Sequence, residues 1–128
     1  MRVYFVTQKN MGKNVILEPR IPESAPDHEG QVSRICVSSS ILGCLSSIGG
    51  NLCLGCNTYI YSCDADESEL IQVSNINDVD MTGELWILIN KEFTLHKIIK
   101  LKDVDSFIID EDKEIELFNF KFDIIQSF

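Results

Sequence analysis

No stretch of this chain approaches the roughly 18 consecutive apolar residues that a membrane-spanning helix requires, so no membrane partner is expected. The opening MRVYFVTQKN carries one basic residue, Arg2, ahead of a four-residue apolar run and then turns polar. A secretory leader needs an apolar region of about 7 to 15 residues, so the chain is expected to stay in the cytoplasm. Regular cysteine spacing is missing as well. The five cysteines form an odd set without the pattern of a secreted disulfide framework, and reduced thiols are expected rather than bridges. Positive charge is scarce. Three arginines and eight lysines face 20 carboxylates, for a net charge of −9. Residues 1–62 hold five basic against four acidic side chains, +1, and residues 63–128 hold six against sixteen, −10. Duplex DNA or long RNA is bound through a basic face that releases counterions. Eight scattered lysines build no such face, and duplex nucleic acid is excluded as a partner. A small anion remains, and it would have to use the first half, which holds all three arginines.

At 128 residues, with 45% hydrophobic side chains, the chain has the size and composition of one folded domain, 1–128. Arg2 to Thr7 reads as an opening strand, ended by the polar QKNMGKN turn. Val15 to Glu18 resumes it. Three prolines within Pro19 to Pro26 fix an extended loop that continues to Gly30 and is tacked down by Ile21. Arg34 to Val37 reads as a buried strand. Ser39 or Ser40 caps a helix of about two turns in which Ile41, Leu42, Leu45 and Ile48 share a face, with Gly49 and Gly50 as its stop. Thr58 to Cys63 alternates as a strand and an acidic loop, Asp64 to Glu69, follows. Glu84 to Ile89, Phe93 to Leu101, Phe107 to Ile109 and Glu114 to Ile125 favour strand, with a solvated turn over Asp110 to Glu116. There is no repeat, low-complexity tract or heptad series. The class expected is α+β, with a mixed or antiparallel split sheet and one short helix after the second main strand.

The serine turn is the first candidate site. A helix N-terminus offers backbone N–H groups and a partial positive charge, and Ser38, Ser39 and Ser40 with Arg34 could complete a phosphate pocket. Arg20, in the preceding loop, could converge on the same anion. The alternative is that a serine only caps the helix and Arg34 lies on the surface. Glu84 and Trp86 fall on one face of a strand by alternation, where Trp86 could stack a base or fill the core.

The opening VYFVT, the loop ending in PRIP, RICVSSS followed by a helix, and the later TGELW together resemble the ADP-ribosyltransferase fold of small phage and prophage proteins, over about residues 2–101. That resemblance implies a cleft for NAD or an ADP-ribose derivative as ligand or substrate, with no separately bound cofactor. It implies that Ser38, Ser39 and Ser40 match the serine-rich strand end, and that Glu84 is the catalytic glutamate, bonding the ribose next to the scissile glycosidic bond of NAD. Phe5 stands where members with a strand histidine carry that residue, and phenylalanine cannot hydrogen-bond a ribose hydroxyl. The resemblance therefore points to binding of an NAD-derived nucleotide, as a phage anti-defence protein that sequesters a signalling nucleotide in the host cytoplasm. Mono-ADP-ribosylation of a host target is the alternative. The ligand-binding set would be Phe5, Arg20, Arg34, Ser38, Ser39, Ser40, Tyr59 and Trp86.

Other constellations are weaker. Cys53 and Cys56 form a CxxC, with Cys44 and Cys63 near in sequence, but one pair and two singles is not the two-pair pattern of a zinc site, and no metal is assigned. His28 reads as a solvated loop histidine and His96 as a strand residue on the solvent face. Asp78, Asp80 and Glu84 lack EF-hand spacing. A different function class is an acidic protein-interaction inhibitor of a host enzyme, motivated by the −10 of the second half. In the last strand, Glu116, Phe118, Phe120, Phe122 and Ile124 share one face, to be buried in the chain's own core or in a homo-dimer.

Overall fold

Most of the chain alternates β-branched or aromatic side chains with polar ones, a period that a pleated strand can split between two faces. The computed structural model describes residues 1–21, 32–48, 52–72, 83–110 and 115–128. Among these residues eight strands form one sheet: β1 (Arg2–Thr7), β2 (Asn14–Leu17), β3 (Ile35–Ser38), β4 (Asn57–Asp64), β5 (Ile71–Gln72), β6 (Glu84–Ile87), β7 (Lys91–Asp110) and β8 (Ile115–Ser127). One helix, α1 (Ile41–Ile48), joins β3 to β4, and a 3-10 turn spans Glu67–Glu69. The strand order is β2-β7-β4-β1-β3-β6-β5, with β8 also paired to β7.

The sheet's two faces carry separate cores. Val3, Ile35, Val37, Tyr61, Ile87, Phe93 and Leu95 build the first, and Val15 and Leu17 of β2 pack against it together with Leu85 of β6. Strands from opposite ends of the order thus share one core, so the sheet curls around it. The turn before β2 closes over this core. Tyr61, fully buried, accepts a hydrogen bond through its hydroxyl from Met11 N at 3.0 Å and donates one to Gly12 O at 2.8 Å. Gly12 sits at φ 88°, where a side chain would be strained. The second core, Val6, Cys44, Leu45, Leu52, Ile60, Ile99 and Leu101, lies under α1. α1 crosses β1, so β3 and β4 run parallel to each other on either side of it while both pair antiparallel with it.

The expected α+β class does not hold. Every pairing among the described residues is antiparallel, the sheet is continuous rather than split, and α1 is the one α-helix among those residues. This is a sheet-dominated fold, without the ADP-ribosyltransferase-like arrangement. The physical reason is that a single window, Ile41 to Ile48, has helical periodicity. Eight residues make about two turns, too little for a helical layer, and they cover only the part of one face over β1.

β7 also departs from expectation, since the stretches Phe93 to Leu101 and Phe107 to Ile109 are parts of one strand. Its first residues pair with β2 on one edge, Thr94 to Lys100 pair with β4 on the other, and from Lys97 onward the first edge is taken by β8. Beyond Leu101 the strand has β8 alone as a partner among the described residues. The segment Lys102 to Asp110 would span about 30 Å at about 3.3 Å per residue. The result is a two-stranded arm. On β8, Phe120 packs against the second core, whereas Phe122 is 43% and Ile124 54% exposed, so the chain's own core takes only part of that face.

Candidate functional site

The predicted site residues divide between the two faces. In the β3–β6 pair, Cys36 lies opposite Trp86 and Ser38 opposite Glu84. Opposite residues in an antiparallel pair share a face. Ser38 is in turn opposite Tyr4, which packs on the α1 side. Arg34, Ser38, Glu84 and Trp86 therefore assemble on the helix-covered face. Phe5 and Tyr59 do not join them. Both pack against the first core, and the Phe5 ring lies 6.2 Å from that of Phe93.

Arg34 is enclosed rather than on the surface. It is 2% exposed, its Nη1 donates to Val32 O at 3.1 Å, and its guanidinium carbon lies 4.2 Å from the centroid of the Trp86 ring. The indole Nε1 of Trp86 donates to Glu84 Oε2 at 2.9 Å. A cation, an aromatic face and a carboxylate are thus linked in series along the β3–β6 seam. The backbones of Arg34 and Arg20 exchange hydrogen bonds of 3.1 and 2.9 Å, and the Arg20 side chain is exposed. Arg34 begins an apolar strand because its charge is enclosed beneath Trp86 while its backbone anchors the chain leaving β2.

The serines have separate tasks. Ser40 Oγ accepts from Gly43 N at 3.0 Å and is the helix cap. Ser38, buried, accepts from Ser40 N at 3.3 Å and shapes the turn. Ser39 is exposed. Beside them is Gly83, which sequence reading passed over. It has φ 62°, and a Cβ there would lie 3.5 Å from Ser38 Oγ and 3.8 Å from Ser39 Oγ. Ser40→Ala is expected to cost about 0.5 to 2 kcal/mol, with Ser39→Ala within about 0.5 kcal/mol of the parent. Thermal melts of the two variants check this ordering.

The cysteines do not converge. Cys44 is buried in the second core, where its thiol donates to Tyr4 O at 3.0 Å and burial pushes its pKa up to about 12. Cys63 packs against the first core, and burial raises its thiol to about 11 although Lys91 opposes the shift. Both thiols are held protonated at neutral pH, and they lie in separate cores on the two faces of the sheet. Cys53 and Cys56 are joined as a disulfide, contrary to the expectation of reduced thiols. Their loop is clamped by Gln8, whose side chain accepts from Cys53 N at 2.8 Å and donates to Cys53 O at 2.9 Å. Among the described residues no three His, Cys, Asp or Glu side chains come close enough to share a metal ion. His28, Asp78 and Asp80 lie outside the described residues.

An open depression of about 430 Å³ is lined by Arg2, Asp64, Glu92, His96 and Phe128 among others, and by none of the predicted ligand residues. His96 is half-buried rather than solvent-facing, with its ring 5.6 Å from that of Tyr4. Burial, helped by Lys97 and Arg2, lowers its pKa below the ordinary 6.5. A histidine whose folded pKa is depressed binds its proton more readily when unfolded, so stability falls as pH drops through the unfolded value. The melting temperature of the parent should fall between about pH 7.5 and about pH 5.5 more than that of His96→Gln, the window in which histidine titrates.

Comparison with protein families, curated proteins and solved structures returns no match to this chain.

Proposed function

We propose that the chain acts by binding another protein, with the acidic arm of β7 and β8 as its contact element. The observation that carries this reading is the arm itself. Past Leu101 it leaves the sheet's company, pairing with β8 alone among the described residues, and it presents Asp103 and Asp105 exposed. Asp103 and Asp105 belong to neither core, and their charges face outward, where a partner would meet them. The partner's surface would be basic, since complementary charge speeds encounter and selects partners, and the −10 of residues 63–128 extends the same field. A small-ligand function gains less support, because the arginine expected to meet a phosphate is enclosed under Trp86.

The test is capture of a host protein by the immobilised chain over a salt series. Binding is expected to weaken steeply with salt, and to fall about tenfold or more when Asp103 and Asp105 are both replaced by Lys, as reversal of close charges across an interface does. Salt-insensitive capture that survives the reversal overturns the reading.

A second reading, binding of an ADP-ribose-type nucleotide, is favoured by one feature. Gly83 leaves open the space beside Ser38 and Ser39 at the N-terminal end of α1, with Glu84 on the adjoining strand position. Calorimetric titration with ADP-ribose and NAD tests it, and release of free nicotinamide from NAD would identify transfer rather than sequestration. Affinity in the parent that is lost in Gly83→Val supports this reading. No affinity for either nucleotide removes it.

A further inference from the structure

We propose that the outer edge of β8 pairs antiparallel with the same edge of a second copy of this chain, with the two-fold axis at Phe122. This goes beyond the reading of the arm as a contact element and is independent of which basic partner the arm meets.

β8 is an edge strand of 13 residues, paired on one side with β7 and with no second strand among the described residues. Such an edge presents a row of backbone donors and acceptors, and it is usually blunted by Pro, a short length or inward charge. β8 has no proline, and its exposed residues include Phe122, Ile124 and Ile125.

The register follows from symmetry and charge. Along a strand, backbone groups point alternately to one edge and the other, and two residues can oppose each other only if both point to the shared edge or both point away. A two-fold antiparallel pair must therefore centre on a residue facing its own copy. Centring on Lys121 or on Asp123 sets like charges opposite each other, which destabilises a sheet. Centring on Phe122 sets Lys121 opposite Asp123 of the second copy, and Asp123 opposite the second Lys121. It also sets Phe120 opposite Ile124 of the second copy. The segment Phe120-Lys121-Phe122-Asp123-Ile124 complements itself in both charge and apolarity about this one point.

The pairing already present within each chain extends the match. β7 places Asp103 opposite Lys121, Lys100 opposite Asp123, Leu101 opposite Phe122, Val104 opposite Phe120 and Ile99 opposite Ile124. Across the four strands of a dimer, one face would read Asp103, Lys121, Asp123, Lys100, alternating in sign. The other would read Leu101, Phe122, Phe122, Leu101, continuous with the second core, to which Leu101 and Ile99 belong. Asp123 is already oriented on its own chain by Lys102 Nζ at 2.8 Å. The side chains exposed at present, Phe122 and Ile124, are the ones this arrangement covers.

The purified chain, with no other protein present, should sediment at twice its chain mass at micromolar concentration. Phe122→Asp should sediment as a monomer. Lys121→Asp should weaken the dimer at least about tenfold by setting carboxylates opposite each other twice, and adding Asp123→Lys to it should restore association, because the interchain pairs are again of opposite sign. Phe122→Cys should form an interchain disulfide on mild oxidation, since directly opposed residues lie within disulfide reach. Gln126→Cys should not, because it would face residue 118 of the second copy. Melting transitions confirm that each variant is folded. A parent that sediments as a monomer overturns the proposal, as does a dimer unchanged by Phe122→Asp or cross-linked at Gln126→Cys. Failure here leaves the partner reading standing, because salt-dependent capture by a monomer remains measurable.

Discussion

Arg34→Ala is expected to destabilise the protein by about 2 to 4 kcal/mol. Removing a desolvated cation from an aromatic face costs about 2 kcal/mol, and a hydrogen bond from a charged donor to a backbone carbonyl contributes about 1.5 to 3 kcal/mol. Both are present, at 4.2 Å to the Trp86 centroid and 3.1 Å to Val32 O, and at a residue 2% exposed the solvent does not replace them. They involve one guanidinium and do not add in full, which sets the upper figure. Arg34→Lys should recover only part of the loss, because an ammonium lacks the flat face that stacks on an indole. Denaturant unfolding of the two variants measures this. Arg34→Ala with parental stability would mean that the guanidinium is a solvent-facing group available to a ligand.

Phe93→Ala should cost more, about 3 to 5 kcal/mol, the usual range for a buried aromatic cut back to alanine. Phe93 is fully buried in the first core. It sits on β7 opposite Val15 of β2, and its ring contacts that of Phe5. The cavity would open between the edge strand and the sheet's interior, where the curled sheet gives little freedom to collapse. Phe93→Leu should lose clearly less. If Phe93→Ala unfolds at the parent's denaturant midpoint, the first core is not organised around this ring.

Several elements are legible in the sequence to within a residue or two, because local pattern determines them. β1 begins and ends where RVYFVT does, and the alternation that puts Val3 and Phe5 on one side already implies that Phe5 faces a core. The cap of α1 is narrowed to Ser39 or Ser40, and the geometry selects Ser40. β7 is not legible as one strand. Lys102 to Asp105 interrupts its apolar pattern and separates the two strand-favouring stretches. The strand continues there because β8 supplies the hydrogen bonds, with a register shift between Leu101 and Asp103. Arg34 shows the same limit at the site. That it starts a strand is local information, but its place under Trp86 depends on the pairing of β3 with β6, some fifty residues apart in the chain. The Cys53–Cys56 disulfide likewise depends on a turn whose shape is held by Gln8, far away in sequence. Fold class failed for a related reason. One helical window suggests a helical layer, and only the extent of the sheet reveals how little of it that window covers.

The most direct test of the account is backbone hydrogen exchange on the intact chain, alone and then saturated in turn with a captured protein partner and with ADP-ribose. The account predicts slowed exchange over Lys102 to Asp105 in the protein complex, an unchanged turn at Ser38 to Ser40, and no response anywhere to ADP-ribose. Protection of Ser38 to Gly43 by ADP-ribose, with an arm that exchanges equally with and without a protein partner, would contradict it.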